Sequence, residues 1–426
     1  MIGEKEAMAG QEESIRRLRP GSKKRRRGFG SSIIPAGPLV IWDETLRDGE
    51  QAPGVAFSAD QKVELARMLD TLCVGVIDAG FPSVSVEERE SVRRIRDSGL
   101  SAVVGATVRA KSQDVALAEA AGIRNLFMFA PTSDIHISTK FEGGRSKLAA
   151  TILEAVRYSA DRGLRVYFIS EDSSRTDLGF LCDLIGEIHR EGVRDVIITD
   201  TIGLLTPMDT REMIGAVKRL CPSDCSFGIH CHNDFGLATA NTLAALEMGV
   251  TYATVTVNGI GERTGNASLE ETVAALETIY GCCTGVDLGG LTELSRKVET
   301  FSGMPLSAHK AVVGFNAFRH ESGIHVKAML KNPRAYEILD PETVGATRAL
   351  VLGKHSGRAA VRQCLEQEEI FVDEDRIAGI VQSVKGRVAS PDLKRFIATL
   401  MTLYYTQHLG LSPKGLGRIV RGEEHP

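Results

Sequence analysis

The chain has 426 residues, 43% hydrophobic and 25% charged, with a formal net charge of −4; it can bury a full core and is too long for one small domain. So even a charge balance gives no reason to expect nucleic acid or a membrane surface as the main partner, and without a run of eighteen apolar residues no helix is expected to span a bilayer. Eight cysteines, at 73, 182, 221, 225, 231, 282, 283 and 364, include no Cys-x-x-Cys pair and read as reduced thiols of a cytoplasmic protein without structural disulfides.

Residues 1–36 carry nine Lys/Arg and four Glu, net +5, which leaves −9 on the rest. The run Lys23-Lys24-Arg25-Arg26-Arg27 fits a nuclear address or an anion-binding tail, and more simply a solvated, disordered basic tail, which is the expectation. No long apolar stretch follows it, so it does not read as a secretory signal.

After the tail, Pro38-Leu39-Val40-Ile41-Trp42-Asp43 reads as a short buried strand, and Ser58 as the N-cap of a helix continuing through Val63, Leu65 and Leu69. The same pair of signals then recurs. Strand 74–78 precedes helix 86–98, strand 102–106 precedes helix 112–121, strand 126–129 precedes helix 146–162, and strand 164–169 precedes helix 178–191. Strand 195–199 precedes helix 210–220, strand 226–232 precedes helix 237–248, and strand 252–257 precedes helix 269–280. Eight alternations with near-continuously apolar strands predict an α/β fold, a closed (β/α)8 TIM barrel over residues 37–285. An open doubly wound sheet would alternate too, but its Gly-x-Gly-x-x-Gly turn after the first strand is missing. From about Leu291 the strand signals thin out. Residues 286–426 are expected to form a mostly helical C-terminal appendage that acts as a lid over a barrel mouth, its own or a partner's.

Such barrels do chemistry at the carboxyl ends of their strands. His230 and His232 stand at i, i+2 on the seventh strand, so an extended backbone points both imidazoles to one face and Cys231 to the other. A lone His-x-His is more often an ordinary core or surface pair. Closure strengthens the case, because the eighth strand then lies beside both the seventh and the first, bringing the pair near Arg47 and Asp48. Asp48, His230 and His232 become a candidate facial set on one metal, with Asn266 as a further oxygen. Mixed N and O donors admit Mg2+, Mn2+, Co2+ or Zn2+, and such an ion would chelate a 2-oxo acid through its carboxylate and ketone oxygens.

Arg47 is suited to stabilise an alkoxide, although Arg-Asp neighbours are commonly a weak surface pair. Glu171 is a candidate for proton transfer with a histidine, His320 of the appendage foremost, then His325 and His355; Thr201 and Gln51 are candidates to hold substrate. A capping role accounts for Glu171 or Thr201 about as well. The glycine-rich stretch 258–266 would let a ligand approach the backbone, with Asn258, Gly259, Gly261 and Arg263 as cofactor contacts.

Four motifs now stand in one order: Glu44-Thr45-Leu46-Arg47-Asp48-Gly49-Glu50-Gln51, His230-Cys231-His232-Asn233-Asp234, the stretch from Asn258 to Asn266, and His320-Glu321-Ser322-Gly323-Ile324-His325. With them the chain resembles, from about Ile41 to Arg358, the homocitrate synthase and 2-isopropylmalate synthase family. The resemblance implies a metal-dependent Claisen condensation: acetyl-CoA is enolised, attacks a 2-oxo acid, and the thioester is hydrolysed to a 2-hydroxy diacid and CoA. It implies Asp48, His230 and His232 as metal ligands and Asn266 as an auxiliary one. It likewise implies Arg47 at the oxyanion, Glu171 and His320 in proton transfer, Thr201 on the substrate carboxylate, and a homodimer in which the appendage reaches over the partner's barrel.

Two departures bear on the acid. Lysine-pathway homocitrate synthases usually read Arg-Glu in place of Arg47-Asp48 and carry Arg and Ser at the positions of Tyr167 and Ile169. Long 2-isopropylmalate synthases have a C-terminal leucine-sensing domain for which this chain is too short. A short homocitrate synthase of the nitrogen-fixation type is expected first, then a short isopropylmalate synthase or a relative acting on an acid such as phosphonopyruvate. A 3-hydroxy-3-methylglutaryl-CoA lyase would share the barrel and metal set but normally lacks the appendage bearing His320.

Overall fold

A computed structural model describes Ile34 and residues 37–386, 391–407 and 413–421; apart from Ile34, the expected basic tail lies outside the described residues. The chain divides into two compact units, residues 1–305 and 306–426.

In the first unit eight parallel strands close in chain order: β1 (Val40–Asp43), β2 (Val76–Asp78), β3 (Val103–Arg109), β4 (Asn125–Pro131), β5 (Arg165–Glu171), β6 (Asp195–Asp200), β7 (Ser226–Cys231) and β8 (Tyr252–Val255). The ring is sealed by β1 on β8, with Val40 opposite Tyr252 and Asp43 opposite Val255. The fold is thus the (β/α)8 barrel, and its strands are apolar throughout because side chains fill one face and helices cover the other.

The interior is filled by Trp42, Phe127, Tyr167 and Tyr252, all buried. Their rings meet largely edge to face, as aromatic quadrupoles prefer: Trp42 lies 5.5 Å from Tyr167 at 82°, and Tyr167 lies 6.0 Å from Tyr252 at 81°. Two glycines make room for this plug. A Cβ on Gly105 would stand 2.2 Å from the Phe127 ring, and one on Gly228 would stand 2.8 Å from Cβ of Tyr252. A filled interior leaves the strand ends as the place for a site.

The first helix starts at its expected cap. The Ser58 hydroxyl accepts from the Gln61 amide while the Gln61 side chain accepts from Ser58, opening α1 (Ala59–Thr71). The helix expected from 146 begins at Gly144, and ahead of it stands a separate helix, Asp134–Lys140, which apolar periodicity does not reveal. It is seven residues long and buries only Ile137, too short to show a stripe. Helix Leu291–Ser302 also belongs to the first unit: Asn258 Nδ2 donates to the Ser295 carbonyl at 2.9 Å, and Lys297 pairs with Glu64 at 2.7 Å.

In the second unit a parallel strand pair, Arg319–His320 with Ala349–Leu350, accompanies helices Gly323–Met329, Arg358–Gln367, Glu374–Gly386, Pro391–Gln407 and Pro413–Val420. Val361, Ile377 and Val381 form a small buried cluster there. All eight cysteines are free, and no helix among the described residues is long and apolar enough to cross a membrane.

Candidate active site at the barrel mouth

Asp48 follows β1, and His230 and His232 lie on and just beyond β7; all three are buried, and one ligand atom from each falls within 4.8 Å of the others. His230 Nε2 is 3.2 Å from His232 Nε2 and 3.3 Å from Asp48 Oδ2, which is 3.8 Å from His232 Nε2. Two ligands with bonds of about 2.1 Å at right angles to one ion stand about 3 Å apart, so these separations suit a shared cation. Asn266 is drawn in by a bridge to His232; its Nδ2 donates to the Ile260 carbonyl at 3.2 Å, and its Oδ1 is buried without a hydrogen-bond partner. Asp48 Oδ1 is orphaned in the same way. Two orphaned oxygens beside two imidazole nitrogens are a donor set that a divalent cation completes.

Behind these ligands lies a set of carboxylates. Glu44 Oε2 stands 2.7 Å from His230 Nδ1, with the Thr254 hydroxyl at 2.9 Å from the same nitrogen, which orients the ring and leaves Nε2 for the cation. Arg47 contacts three carboxylates at once: Asp78 through Nε at 3.1 Å, Glu44 at 2.9 Å and Asp48 at 3.2 Å. Burial would raise the Asp48 carboxyl, but Arg47 and His230 outweigh it and hold it well below the usual range. Burial disfavours protonated His230, yet Glu44 and Asp48 push it up to about 9; His232, buried beside it, is pushed down to about 4. Asp43 and Asp78, fully buried, are raised to about 7 and about 6 by burial.

A cavity of about 420 Å³ opens over the ligands. Arg47, Gln51, Glu171, Thr201 and Arg263 line it, so five further expected site residues converge on the same space. Thr201 Oγ1 accepts from the Asp172 amide at 2.8 Å, and Arg263 is held by Asp234 at 2.8 Å. Three expected cofactor contacts do not line it. Asn258 has both side-chain ends engaged by Ser295, at 2.9 and 2.6 Å. Gly259 and Gly261 serve the loop's own closure: a Cβ on Gly261 would stand 2.1 Å from Asn266 Nδ2, and the Gly259 carbonyl accepts from the Asn266 amide at 3.0 Å. Tyr167, weighed above as a substrate-reading position, is fully buried in the plug, whereas Ile169 does line the cavity.

His136 and Lys140, on the short helix Asp134–Lys140, also line the cavity and were not foreseen. Lys140 Nζ pairs with Glu171 Oε1 at 2.5 Å, and His136 Nδ1 is 3.6 Å from the same oxygen. The signal available was a Ser133 cap followed by His and Lys at i, i+4, one face of a helix. His320 lies in the second unit, where its Nε2 stands 2.9 Å from Glu337 Oε1 and Arg348 pairs with the same carboxylate.

Residues 39–298 match the family described as HMGL-like, and residues 312–390 the one described as homocitrate synthase post-HMGL domain-like. The chain is 44% identical over 348 residues to homocitrate synthase AksA of Methanopyrus kandleri, covering 82% of this chain and 87% of that one. It is 43% identical to (R)-citramalate synthase CimA of Methanocaldococcus jannaschii (81% and 70% covered) and 40% identical to 2-isopropylmalate synthase of Sulfolobus acidocaldarius (83% and 93%). Among solved structures, the HMG-CoA lyase of Bacillus subtilis superposes with a TM-score of 0.57 at 21% identity, over 64% of this chain and 96% of that one, a likeness of fold.

Proposed function

This chain belongs to the homocitrate synthase and 2-isopropylmalate synthase family, with an HMGL-like barrel, and from that premise we propose that it is an acyltransferase condensing acetyl-CoA with a 2-oxo acid. The observation that carries the reading is the buried convergence of Asp48, His230, His232 and the orphaned Asn266 oxygen at the mouth. These residues would hold Mg2+, Mn2+, Co2+ or Zn2+, which supplies Lewis acidity to the ketone of the acid.

The chain's own groups do the rest. The Thr201 hydroxyl and Gln51 take the acid's carboxylate at the cavity wall. Glu171, with Lys140 beside it, takes a proton from the acetyl methyl, and the resulting carbon forms a bond to the ketone carbon. Arg47, fixed by three carboxylates, presents preorganised positive charge to the oxygen that becomes an alkoxide. That oxygen is then protonated, with His320 as the second proton-transfer residue, and water cleaves the thioester to give the carboxylate and the free CoA thiol. Arg263 at the rim is a contact for acetyl-CoA.

The working form is a homodimer in the cytoplasm. The apolar side chains left exposed on the second unit, Phe371, Phe396, Ile397 and Leu400 among them, support a further interface. A carbon-carbon lyase reading has only the distant fold likeness behind it. The test is release of CoA thiol from acetyl-CoA with a panel of 2-oxo acids, with divalent metal and with chelator. Metal-dependent release with at least one acid is expected, and no release with any acid in the presence of metal overturns the assignment.

A further inference from the structure

We infer that the acid is a 2-oxo monocarboxylate with a short, uncharged alkyl side chain; this rests on the condensation reading and concerns only which acid is condensed. The cation ligands come from the ends of β1 and β7, which are neighbours through β8. In a closed ring of eight, β3, β4 and β5 lie across the mouth from them. An acid that presents its carboxylate and ketone oxygens to the ligand side therefore directs its side chain at this opposite arc.

That arc is apolar. Phe81 after β2, Phe129 on β4 and Ile169 on β5 line the cavity there, with the two phenyl rings edge to face at 5.9 Å and 79°. Thr107 is the polar exception on β3, and its hydroxyl is engaged with Asp78 at 2.6 Å.

The Lys and Arg charges at the mouth are already matched. Three Lys/Arg side chains line the cavity. Arg47 holds Glu44, Asp48 and Asp78; Lys140 holds Glu171 at 2.5 Å; Arg263 holds Asp234 at 2.8 Å. A distal carboxylate or phosphonate would enter beside Glu171 with no Lys or Arg left for it, and the imidazole on that wall, His136, already faces Glu171 and Asp172 at 3.6 and 3.7 Å. It would gain a cationic partner only by drawing Lys140 or His136 off the residue that abstracts the proton. A half-buried charge without a partner costs more than contact with Phe81 and Phe129 returns, whereas an alkyl group requires only that contact.

The experiment uses the full chain with divalent metal and follows thiol release. Pyruvate, 2-oxobutyrate and 2-oxoisovalerate are set against oxaloacetate, 2-oxoglutarate and phosphonopyruvate. The best alkyl acid is expected to exceed each acid with a second anionic group by about a hundredfold or more in kcat/KM, the usual consequence of an unpaired buried charge. A preference for 2-oxoglutarate, oxaloacetate or phosphonopyruvate overturns the inference and leaves the condensation reading standing; no turnover of any acid overturns both. In Lys140→Met, compared through the ratio between acids, the order of preference is expected to persist. Selective loss of a dianionic substrate in that variant would show Lys140 reading its distal group and would also overturn the inference.

Discussion

The two sides of the barrel mouth are built on opposite plans. On the β1 and β7 side, four buried carboxylates, Asp43, Glu44, Asp48 and Asp78, crowd around Arg47 and His230, and the oxygens left over suit a cation. On the β3 to β5 side, aromatic and aliphatic residues form the wall, and the charged groups, Lys140 and Glu171, neutralise each other. One side gathers unmet polar valence around a prospective cation, and on the other the unmatched polar atoms, His136 Nδ1 and Glu171 Oε2, belong to the proton-transfer group. A strong electrostatic centre facing a nearly indifferent wall lets an active site vary the group it accepts without disturbing the one it activates.

The largest effect should come from the side that carries the cation ligands. Asp48→Asn keeps the shape but removes the anionic ligand, and about a thousandfold loss of kcat/KM is expected, several kcal/mol of transition-state stabilisation. Calorimetric titration with Mn2+ should show the matching loss of metal binding; full metal affinity would break the contrast drawn here.

Next comes the residue that joins the two sides. Lys62 is fully buried, and its ammonium contacts Glu50 at 2.5 Å and Glu88 at 2.6 Å. Glu50 sits in the loop that carries Asp48 and Gln51, while Glu88 accepts from the Phe81 amide at 3.0 Å, so one cation positions a loop of the ligand side and a ring of the wall. Lys62→Met leaves two part-buried carboxylates facing each other. Denaturant unfolding should register about 3 kcal/mol or more of destabilisation; a loss below about 1 kcal/mol would show the three groups to be independent.

The same contrast explains what could be read without coordinates. The histidine pair and Arg47-Asp48 were legible because period-2 alternation fixes a face and barrel closure fixes which strands are neighbours. His136 and Lys140 were not, since their helix has one buried apolar residue and sits where a plain loop was expected. Tyr167 and Ile169 share a face by the same alternation, yet depth along the strand is invisible to periodicity, and only the shallower one reaches the cavity. The loop after β8 is the part that composition reads least well. Its glycines serve contacts within the loop, where a Cβ on Gly265 would meet the Gly259 carbonyl at 1.8 Å, and glycine content alone does not separate that need from a ligand's.

A smaller effect should sharpen the picture of the ligand side. Glu44→Gln retains a hydrogen-bonding group near His230 Nδ1 but loses the charge that orients and polarises the ring. Removing such support usually costs 10- to 100-fold in metal affinity or activity, roughly. Equal losses in the wild type's preferred and poorest acids are expected, since Glu44 has no part in the wall; a change in their ratio would mean that the two sides are coupled.

The smallest effect concerns Asp43, which does not touch the cavity but belongs to the same crowded set. Its carboxyl accepts from the Thr45 amide at 2.9 Å and hydroxyl at 2.8 Å, and burial lifts it to about 7. An unfolded aspartate titrates near 4, so between about pH 4 and pH 7 the folded chain holds a proton that the unfolded chain has released. Stability must therefore fall as pH rises through that window, by at most about 1.4 kcal/mol per pH unit from this group. Asp43→Asn keeps one acceptor for Thr45 and cannot ionise, so its contribution to the decline disappears, while Asp78, raised to about 6, still contributes in both proteins. Denaturant unfolding in chelator at pH 5, 6 and 7 should give curves whose difference grows with pH in favour of the variant. Parallel curves would mean that Asp43 ionises without penalty, and that its charge is accommodated by the Arg47 network after all.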